Sequence, residues 1–121
     1  MIKNIEFGAI DLDNGFAHIP GKHEAVSHKI LSDTMDHDAK TGQRTRILRI
    51  APGFQSVGQH DHPYWEELYI LQGSLYEGEP EDGETKHAAP AFARREPGHM
   101  HGPARTDELC YILEFNWYDA D

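Results

Sequence analysis

Frequent proline and glycine residues restrict this chain to short extended segments. The 121 residues include 11 glycines and 7 prolines, which are spread along the whole length. No stretch keeps the 3.6-residue apolar period of a long amphipathic helix, whereas several short runs alternate or are rich in β-branched residues. Many short strands separated by turn signals are typical of a β-sandwich or barrel. The sequence therefore predicts an all-β fold.

The predicted strands lie at residues 27–33, 44–50, 66–79, 91–96 and 108–118. Gly73 divides the third of these into two strands, and Asp82-Gly83 in the acidic segment that follows indicates a turn. The chain length suits one domain. We expect a single domain over 1–121, with the barrel at about 26–118 and an N-terminal strand arm at about 1–25.

The charge balance excludes some classes of partner. There are 21 acidic and 11 basic side chains, for a formal net charge of −10. Nucleic acids and anionic membranes favour clustered Lys and Arg, so we expect neither as a partner. Cys110 is the single cysteine, which excludes an internal disulfide, and the first residues show no apolar run of a signal peptide or membrane span. A cytoplasmic protein is the expectation.

Two H-x-H pairs stand out among the nine histidines: His60 with His62, and His99 with His101. On a strand, residues i and i+2 point the same way, so the first pair can present two imidazoles to one ion. Glu66 follows after a short turn, and two imidazoles with one carboxylate form the facial arrangement that suits Fe(II). Either histidine of the second pair can supply a fourth ligand. The alternative is that these are ordinary surface histidines.

Strand alternation predicts which side chains face the barrel interior. Glu66 shares a face with Leu68 and Ile70, so Glu67 would point outward. For segment 108–118 the phase is ambiguous. The charge of Glu114 favours the opposite face as the inner one, which consists of Leu109, Tyr111, Leu113 and Phe115. This would place the phenol of Tyr111 inside.

Several further side chains are candidates for a substrate pocket. Tyr111 could donate a hydrogen bond to a substrate oxygen, and Tyr64 and Trp65 could form the rim, so Tyr111 and Tyr64 are the predicted catalytic residues. The arginines that could hold a substrate carboxylate are Arg46, Arg49, Arg94 and Arg95. For all of these, ordinary packing or a solvated strand face is the alternative. Cys110 is predicted to be a free buried thiol.

The segment "HDHPYWEELYILQG" resembles the first motif of the cupin superfamily, G-(x)5-H-x-H-(x)3,4-E-(x)6-G. His60, His62, Glu66 and Gly73 fit this spacing, while six rather than five residues separate Gly53 from the first histidine. Only Glu66 keeps six residues before the final glycine, so the motif favours it over Glu67.

A closer resemblance is to the cupin domain of ChrR-type anti-sigma factors and their single-domain relatives. It spans roughly residues 26–115 and includes "RILRIAPG" and "EPGHMHGPARTDELC". The second cupin motif reads P-x-G-x-x-H-x3-N. This chain departs from it, because no residue separates Pro97 from Gly98 and Arg105 stands where the asparagine is expected. The resemblance implies a jelly-roll barrel and a metal site. The residues that match the family's ligands are His60, His62, Glu66 and His101.

The ligand set and the resemblance together lead to functional expectations. We expect one divalent ion, Fe2+, Mn2+, Ni2+ or Zn2+, and a small-molecule substrate. Acetylacetone-type dioxygenases resemble such single-domain cupins, so a dioxygenase acting on a small carbonyl or enolisable compound is the first hypothesis, with an isomerase or lyase as variants. A non-catalytic sensor module and a closed structural metal site are the alternatives. A homodimer that exchanges strand 2–10 is also expected, since exposed sheet edges need cover.

Overall fold

A computed structural model describes residues 3–119 of the chain. Nine strands account for its regular structure, together with one 3₁₀ turn at Pro80–Asp82. The strands are β1 (Ala17–His18), β2 (Val26–Asp33), β3 (Gln43–Ile50), β4 (Trp65–Gln72), β5 (Ser74–Glu77), β6 (Thr85–Ala88), β7 (Ala91–Arg95), β8 (Ala104–Arg105) and β9 (Cys110–Trp117). Among the described residues, no helix is long and apolar enough to span a membrane.

Two antiparallel sheets form a jelly-roll barrel, which confirms the predicted all-β fold. The larger sheet has the order β1-β2-β3-β9-β4-β7, and the smaller has the order β6-β5-β8. The long strands lie where the sequence predicts them. The short strands β1, β6 and β8 were not predicted, because two to four residues are too few for a visible alternation.

Gly73 makes the sharp change of direction from β4 in the larger sheet to β5 in the smaller one. Its φ is +83°, a left-handed conformation that side chains with a Cβ rarely adopt. A Cβ at this position would also lie 2.0 Å from the carbonyl oxygen of Leu109. The glycine is therefore required both by the turn and by the close approach of the chain entering β9.

The apolar core lies at one end of the barrel. Its buried members come from four neighbouring strands, and they are Val26, Ile50, Ile70, Cys110 and Ile112. Leu48, Phe54, Leu68 and Leu75 pack against this cluster. The opposite end of the same sheet carries charged and amide side chains on its inner face, so the barrel interior changes from apolar to polar along the strands.

The predicted phase of β9 is wrong. Ile112 lies opposite both Leu48 and Ile70, and Glu114 lies opposite Arg46. The inner face therefore consists of Cys110, Ile112, Glu114 and Asn116. A buried carboxylate is tolerated because Nε of Arg46 donates to Oε1 of Glu114 at 2.9 Å, and burial of a paired charge costs far less than burial of a lone one.

Tyr111 consequently faces away from the barrel interior, which corrects the prediction that its phenol lies inside. Its hydroxyl donates to the carbonyl oxygen of Leu12 at 2.6 Å, and Nε of Arg49 donates to the same hydroxyl at 3.3 Å. Its ring packs at 6.1 Å from that of Phe16. In this structure Tyr111 anchors the N-terminal segment to the outside of the larger sheet.

The N-terminal arm contains less strand than the sequence suggests. Between residue 3 and the start of β1 the described chain has no strand, and the apolar side chains of Ile5, Phe7 and Ile10 are exposed. Ile2, at the start of the predicted exchanged strand, lies outside the described residues, as do Met1, Ala120 and Asp121.

Candidate metal centre

A pair of backbone hydrogen bonds brings the two histidine segments together. The amide of His60 donates to the carbonyl oxygen of His101, and the amide of His101 donates to that of His60, both at 2.9 Å. The two residues thus form an isolated antiparallel bridge between loops. The i, i+2 spacing predicted that His60 and His62 lie on one strand, but no strand of the structure contains them. Directly opposed side chains lie on one side of such a bridge, and the two imidazole centroids are 4.2 Å apart.

His62 completes a group of three imidazoles. Its ring centroid lies 5.3 Å from that of His60 and 5.4 Å from that of His101. One ring nitrogen from each of the three lies within 4.8 Å of the others. Two nitrogens bound to the same ion at about 2.1 Å lie about 3 Å apart when they are adjacent, so small side-chain movements suffice to close the group on an ion.

Hydrogen bonding selects the nitrogen that His101 offers. Nδ1 of His101 lies 3.1 Å from the carbonyl oxygen of His99, and a carbonyl can only accept, so Nδ1 carries the proton. The lone pair is then on Nε2. A hydrogen bond from the ring nitrogen that does not bind the metal to a backbone carbonyl is a common way in which proteins orient a metal-binding imidazole. The exposed His99 contributes its carbonyl and is not part of the group.

Burial keeps the three imidazoles neutral. It lowers the pKa of His60, His62 and His101, and in each case burial is the largest cause. The pKa of His62 falls to about 4, with the neighbouring His101 and His60 as the next causes. Since a metal binds the neutral imidazole, the group is ready to bind a cation at neutral pH without losing protons.

Tyr64 lies beside the group as a stacking partner of His62. The two ring centroids are 5.0 Å apart and the planes differ by 6°. The guanidinium carbon of Arg44 lies 5.9 Å from the centroid of the Tyr64 ring. Tyr64 does not line the cavity described below. Its observed contact orients a histidine of the group.

Glu66 is buried next to the histidines but stands apart from the group of three. Its Oε1 lies 3.9 Å from Nε2 of His62, and its Oε2 accepts a hydrogen bond from Arg95 at 3.3 Å. Burial, with Glu114 as the next cause, raises the pKa of this carboxyl to about 7, although Arg95 opposes the shift. The structure thus brings together three of the four predicted ligands and places the fourth beside them.

The histidines open onto a cavity of about 350 Å³ inside the barrel. Its apolar wall is formed by Leu48, Ile50, Phe54, Leu68 and Leu75. Its charged wall is formed by Arg46, Arg95, Glu66, Glu77 and Glu114. A cavity with an apolar wall and a few converging polar groups is the usual form of a small-molecule site.

Two of the four candidate arginines face this cavity and two face away. Arg46 and Arg95 line it, and each is paired with a buried or half-buried carboxylate. Arg49 contacts Tyr111 on the outer face, and Arg94 pairs at 2.7 Å with Glu67, which points outward as predicted.

Two further polar residues of the interior, Glu77 and Asn116, were not predicted from the sequence. Glu77 lines the cavity and accepts a hydrogen bond from Arg95 at 2.8 Å. Asn116 could have been found from its place two residues after Glu114, opposite the alternating arginines of β3.

Cys110 is fully buried in the core and free, as predicted. Burial, with a smaller effect of the neighbouring Glu108, raises the pKa of its thiol to about 11. A thiol of this kind stays protonated at neutral pH and packs as a small apolar side chain.

A jelly-roll barrel with histidines from two loops converging on an interior cavity defines a cupin. The family model described as the ChrR cupin-like domain matches residues 16–118, and the chain therefore belongs to this family. A search of curated proteins gave no match.

Several solved structures share this fold. An acetylacetone dioxygenase from Acinetobacter johnsonii aligns with a TM-score of 0.72 at 17% identity, covering 97% of this chain and 76% of its own. The polyketide cyclase RemF from Streptomyces resistomycificus aligns with a TM-score of 0.70 at 20% identity, with coverages of 98% and 81%. KdgF from a Halomonas species aligns with a TM-score of 0.63 at 15% identity, with coverages of 91% and 94%. At these identities the likeness shows the shared fold.

Proposed function

We propose that this cupin is a metal-dependent enzyme acting on a small carbonyl or enolisable compound, most simply as a dioxygenase. The observation that carries the proposal is the convergence of three imidazoles, those of His60, His62 and His101, at an interior cavity of about 350 Å³. A closed structural site would leave no room for a substrate beside the ion. The acetylacetone dioxygenase and the polyketide cyclase, which share the fold, support an enzyme by analogy.

The three histidines would hold one divalent ion, with Glu66 as the fourth ligand. Fe2+, Mn2+, Ni2+ and Zn2+ all accept imidazole and carboxylate ligands. When bound, such an ion acts as a Lewis acid toward a substrate oxygen and, if it is redox-active, supports oxygen chemistry. The ring nitrogens and the buried carboxylate are the donor types that this chemistry requires.

The remaining cavity residues would bind the substrate and exclude water. The apolar wall, including Leu48 and Leu68, would hold the hydrocarbon part of the substrate. Arg46 and Arg95 place guanidinium groups on the opposite wall, where they can face an oxygen that carries negative charge. Because both are already paired with glutamates, they are held in place before the substrate arrives.

The test is oxygen consumption by defined metal forms of the protein. The metal-free protein is reconstituted anaerobically with Fe2+, Mn2+, Ni2+ or Zn2+, and oxygen uptake is followed with β-diketones and catechols. We expect substrate-dependent uptake with a redox-active ion, its loss in His62→Ala, and its retention in Glu67→Gln, whose side chain points outward. No uptake by fully loaded protein contradicts the dioxygenase. Product formation without oxygen would then identify the isomerase or lyase variant.

A second candidate function is a ligand-sensing module, favoured by the membership in the ChrR cupin-like family. In that case the ion and cavity would bind a signal molecule, and a protein partner would respond to it. Stable co-purification of a partner, released by a small ligand, together with no turnover in the assay above, would support the sensor. The predicted cytoplasmic location stays a prediction.

A further inference from the structure

Four polar side chains lie in one row across the inner face of the larger sheet. Arg44 on β3 is opposite Asn116 on β9, Asn116 is opposite Glu66 on β4, and Glu66 is opposite Arg95 on β7. Because directly opposed residues share a face, all four side chains emerge on the same side of the sheet. The row therefore connects the metal centre, through Glu66, to three residues of neighbouring strands.

Asn116 has one hydrogen-bonded end and one free end. Its Oδ1 accepts hydrogen bonds from Nε of Arg44 at 3.0 Å and from Nη2 of Arg44 at 2.7 Å. Two donors at this oxygen fix the orientation of the amide. The residue is 1% exposed, and its Nδ2 has no hydrogen-bond partner among the described residues. A buried N–H without an acceptor is costly and needs an explanation.

The position of Asn116 between its two neighbours suggests the missing acceptor. Its oxygen faces Arg44 on the β3 side, so its Nδ2 is turned away from that side, and Glu66 is the opposed residue on β4. Opposed residues in an antiparallel sheet have Cβ atoms about 4.5–5.5 Å apart, which brings a glutamate carboxylate within reach of an asparagine amide. Here the carboxylate is bonded instead to Arg95, on the far side of Glu66.

We propose that Asn116 is a positioning residue for Glu66, which it holds toward the histidines by donating Nδ2–H to the carboxylate. The inference rests on the proposed metal site. Glu66 then has two positions, one bonded to Arg95 as observed and one bonded to Asn116 with its other oxygen at the ion. Arg44 acts through Asn116, because its two hydrogen bonds keep the amide nitrogen on the Glu66 side.

Asn116→Asp tests this role with little change in shape. The substitution keeps an oxygen for Arg44 but replaces the donor that faces Glu66 with an acceptor, so it should repel the carboxylate. The measurement is the affinity for Co2+, obtained by titration against a chelator and by the absorption spectrum of the bound ion. We expect the affinity to fall about 10–100-fold, as is typical for the loss of an outer partner of a ligand. Asn116→Ala should weaken binding in the same direction, and it provides the test if the aspartate variant does not fold.

Repeating Asn116→Asp in a Glu66→Gln variant tests whether Asn116 acts through Glu66. Glu66→Gln presents an amide that can donate to the carboxylate introduced by Asn116→Asp, so combining the two substitutions should cause no further loss of Co2+ affinity beyond that of Glu66→Gln alone. Glu67→Gln, on the outer face, is the matched control and should bind like the native protein. An Asn116→Asp affinity within twofold of the native value, or an equal loss in both backgrounds, overturns the inference. If the native protein binds no Co2+, the proposed metal site itself fails, and the inference fails with it.

Discussion

At the scale of single residues, the candidate centre depends on histidines whose rings are oriented by different contacts. His60 and His101 are held by their shared backbone bridge, whereas the ring of His62 is oriented by stacking on Tyr64. The backbone of His62 is fixed separately, because its carbonyl oxygen accepts a hydrogen bond from the amide of Gly98 at 2.9 Å. Replacing the His62 side chain therefore removes an imidazole while this backbone contact can remain.

His62→Ala should remove most of the metal affinity. We expect the dissociation constant for Zn2+ or Co2+ to rise by at least about 100-fold, more than the loss of an outer partner causes, because a ligand is removed. Calorimetric titration of the chelator-treated protein measures this. His99→Ala is the matched control, since the site uses the His99 carbonyl and not its ring. An unchanged dissociation constant in His62→Ala, or an equal loss in both variants, would contradict the assignment.

Cys110 should be unreactive until the protein unfolds. Its thiol is fully buried and its pKa is raised to about 11, so thiolate is scarce at pH 8. We expect negligible reaction with a thiol reagent in the native protein and one reactive thiol per chain in denaturant.

The pH dependence of stability is a second consequence of this burial. The unfolded thiol ionises near pH 9, below the folded pKa, so the stability that Cys110 contributes should decrease as the pH rises from about 9 to 11. Cys110→Ala should lack this decrease, and rapid labelling of the native protein would show that the thiol is accessible.

At the scale of strands, the register of β3 against β9 determines the charge pattern of the interior. Arg46 and Glu114 are opposed residues with 12% and 3% of their side chains exposed, and Nη2 of Arg46 lies 2.7 Å from Oε1 of Glu114. Such a pair adds little net stability compared with apolar residues, but breaking it leaves a buried charge without its partner. The two strands are thus tied to this register by electrostatics as well as by backbone hydrogen bonds.

Arg46→Met should therefore destabilise the fold by about 3 kcal/mol, measured as the free energy of unfolding in urea. The Arg44 guanidinium, at 3.8 Å from the same carboxylate, still compensates part of the negative charge of Glu114 in this variant. Adding Glu114→Gln should recover much of the loss, because the unpaired charge is gone. Arg94→Met removes an exposed pair with Glu67 and should cost less than about 1 kcal/mol. Equal losses in Arg46→Met and Arg94→Met would show that burial does not decide the cost.

The same strands show what the sequence can and cannot predict. The positions of β2, β3, β4 and β9 follow from alternation and from the turns that end them. The pairing of His60 with His62 follows from spacing, whereas only the family resemblance favours His101 over His99. The inner face of β9 was predicted wrongly, since the charge of Glu114 could be judged only with its partner Arg46, which is 68 residues away. The bond between Glu66 and Arg95 depends in the same way on strand pairing that the sequence does not reveal.

At the scale of the whole molecule, the two sheets enclose an interior with two different ends. The apolar end packs around Cys110 and Ile112. At the polar end, Glu66 lies beside the histidines, in the row that it forms with Arg44, Asn116 and Arg95. The core therefore supports the fold at one end while charged groups, each held by a partner, remain available to a ligand at the other. This division explains how a chain of 121 residues can have both a packed core and a cavity.

The N-terminal arm leaves apolar surface uncovered on the same molecule. Phe7 is fully exposed and Ile5 is 73% exposed, on alternate positions as in a strand. Within residues 3–119, β1 pairs only with Ser27 and His28, so no strand pairs with the β2 edge at 29–33, although arm residues 5–10 lie near Leu31 and Ser32. A second copy of this chain, whose arm adds a strand to that edge, would cover both features at once.

The predicted homodimer is tested through that arm. Size-exclusion chromatography with light scattering should show a dimer at micromolar concentration, and Phe7→Asp should weaken it by at least about tenfold, because a charge replaces apolar contact area. Val57→Asp is the control, since Val57 is 95% exposed but lies outside the arm. A native monomer at this concentration would reject the dimer. A dimer that Phe7→Asp leaves intact would place the interface elsewhere, with the apolar pair Tyr69 and Phe92 on the outer face as the next residues to substitute.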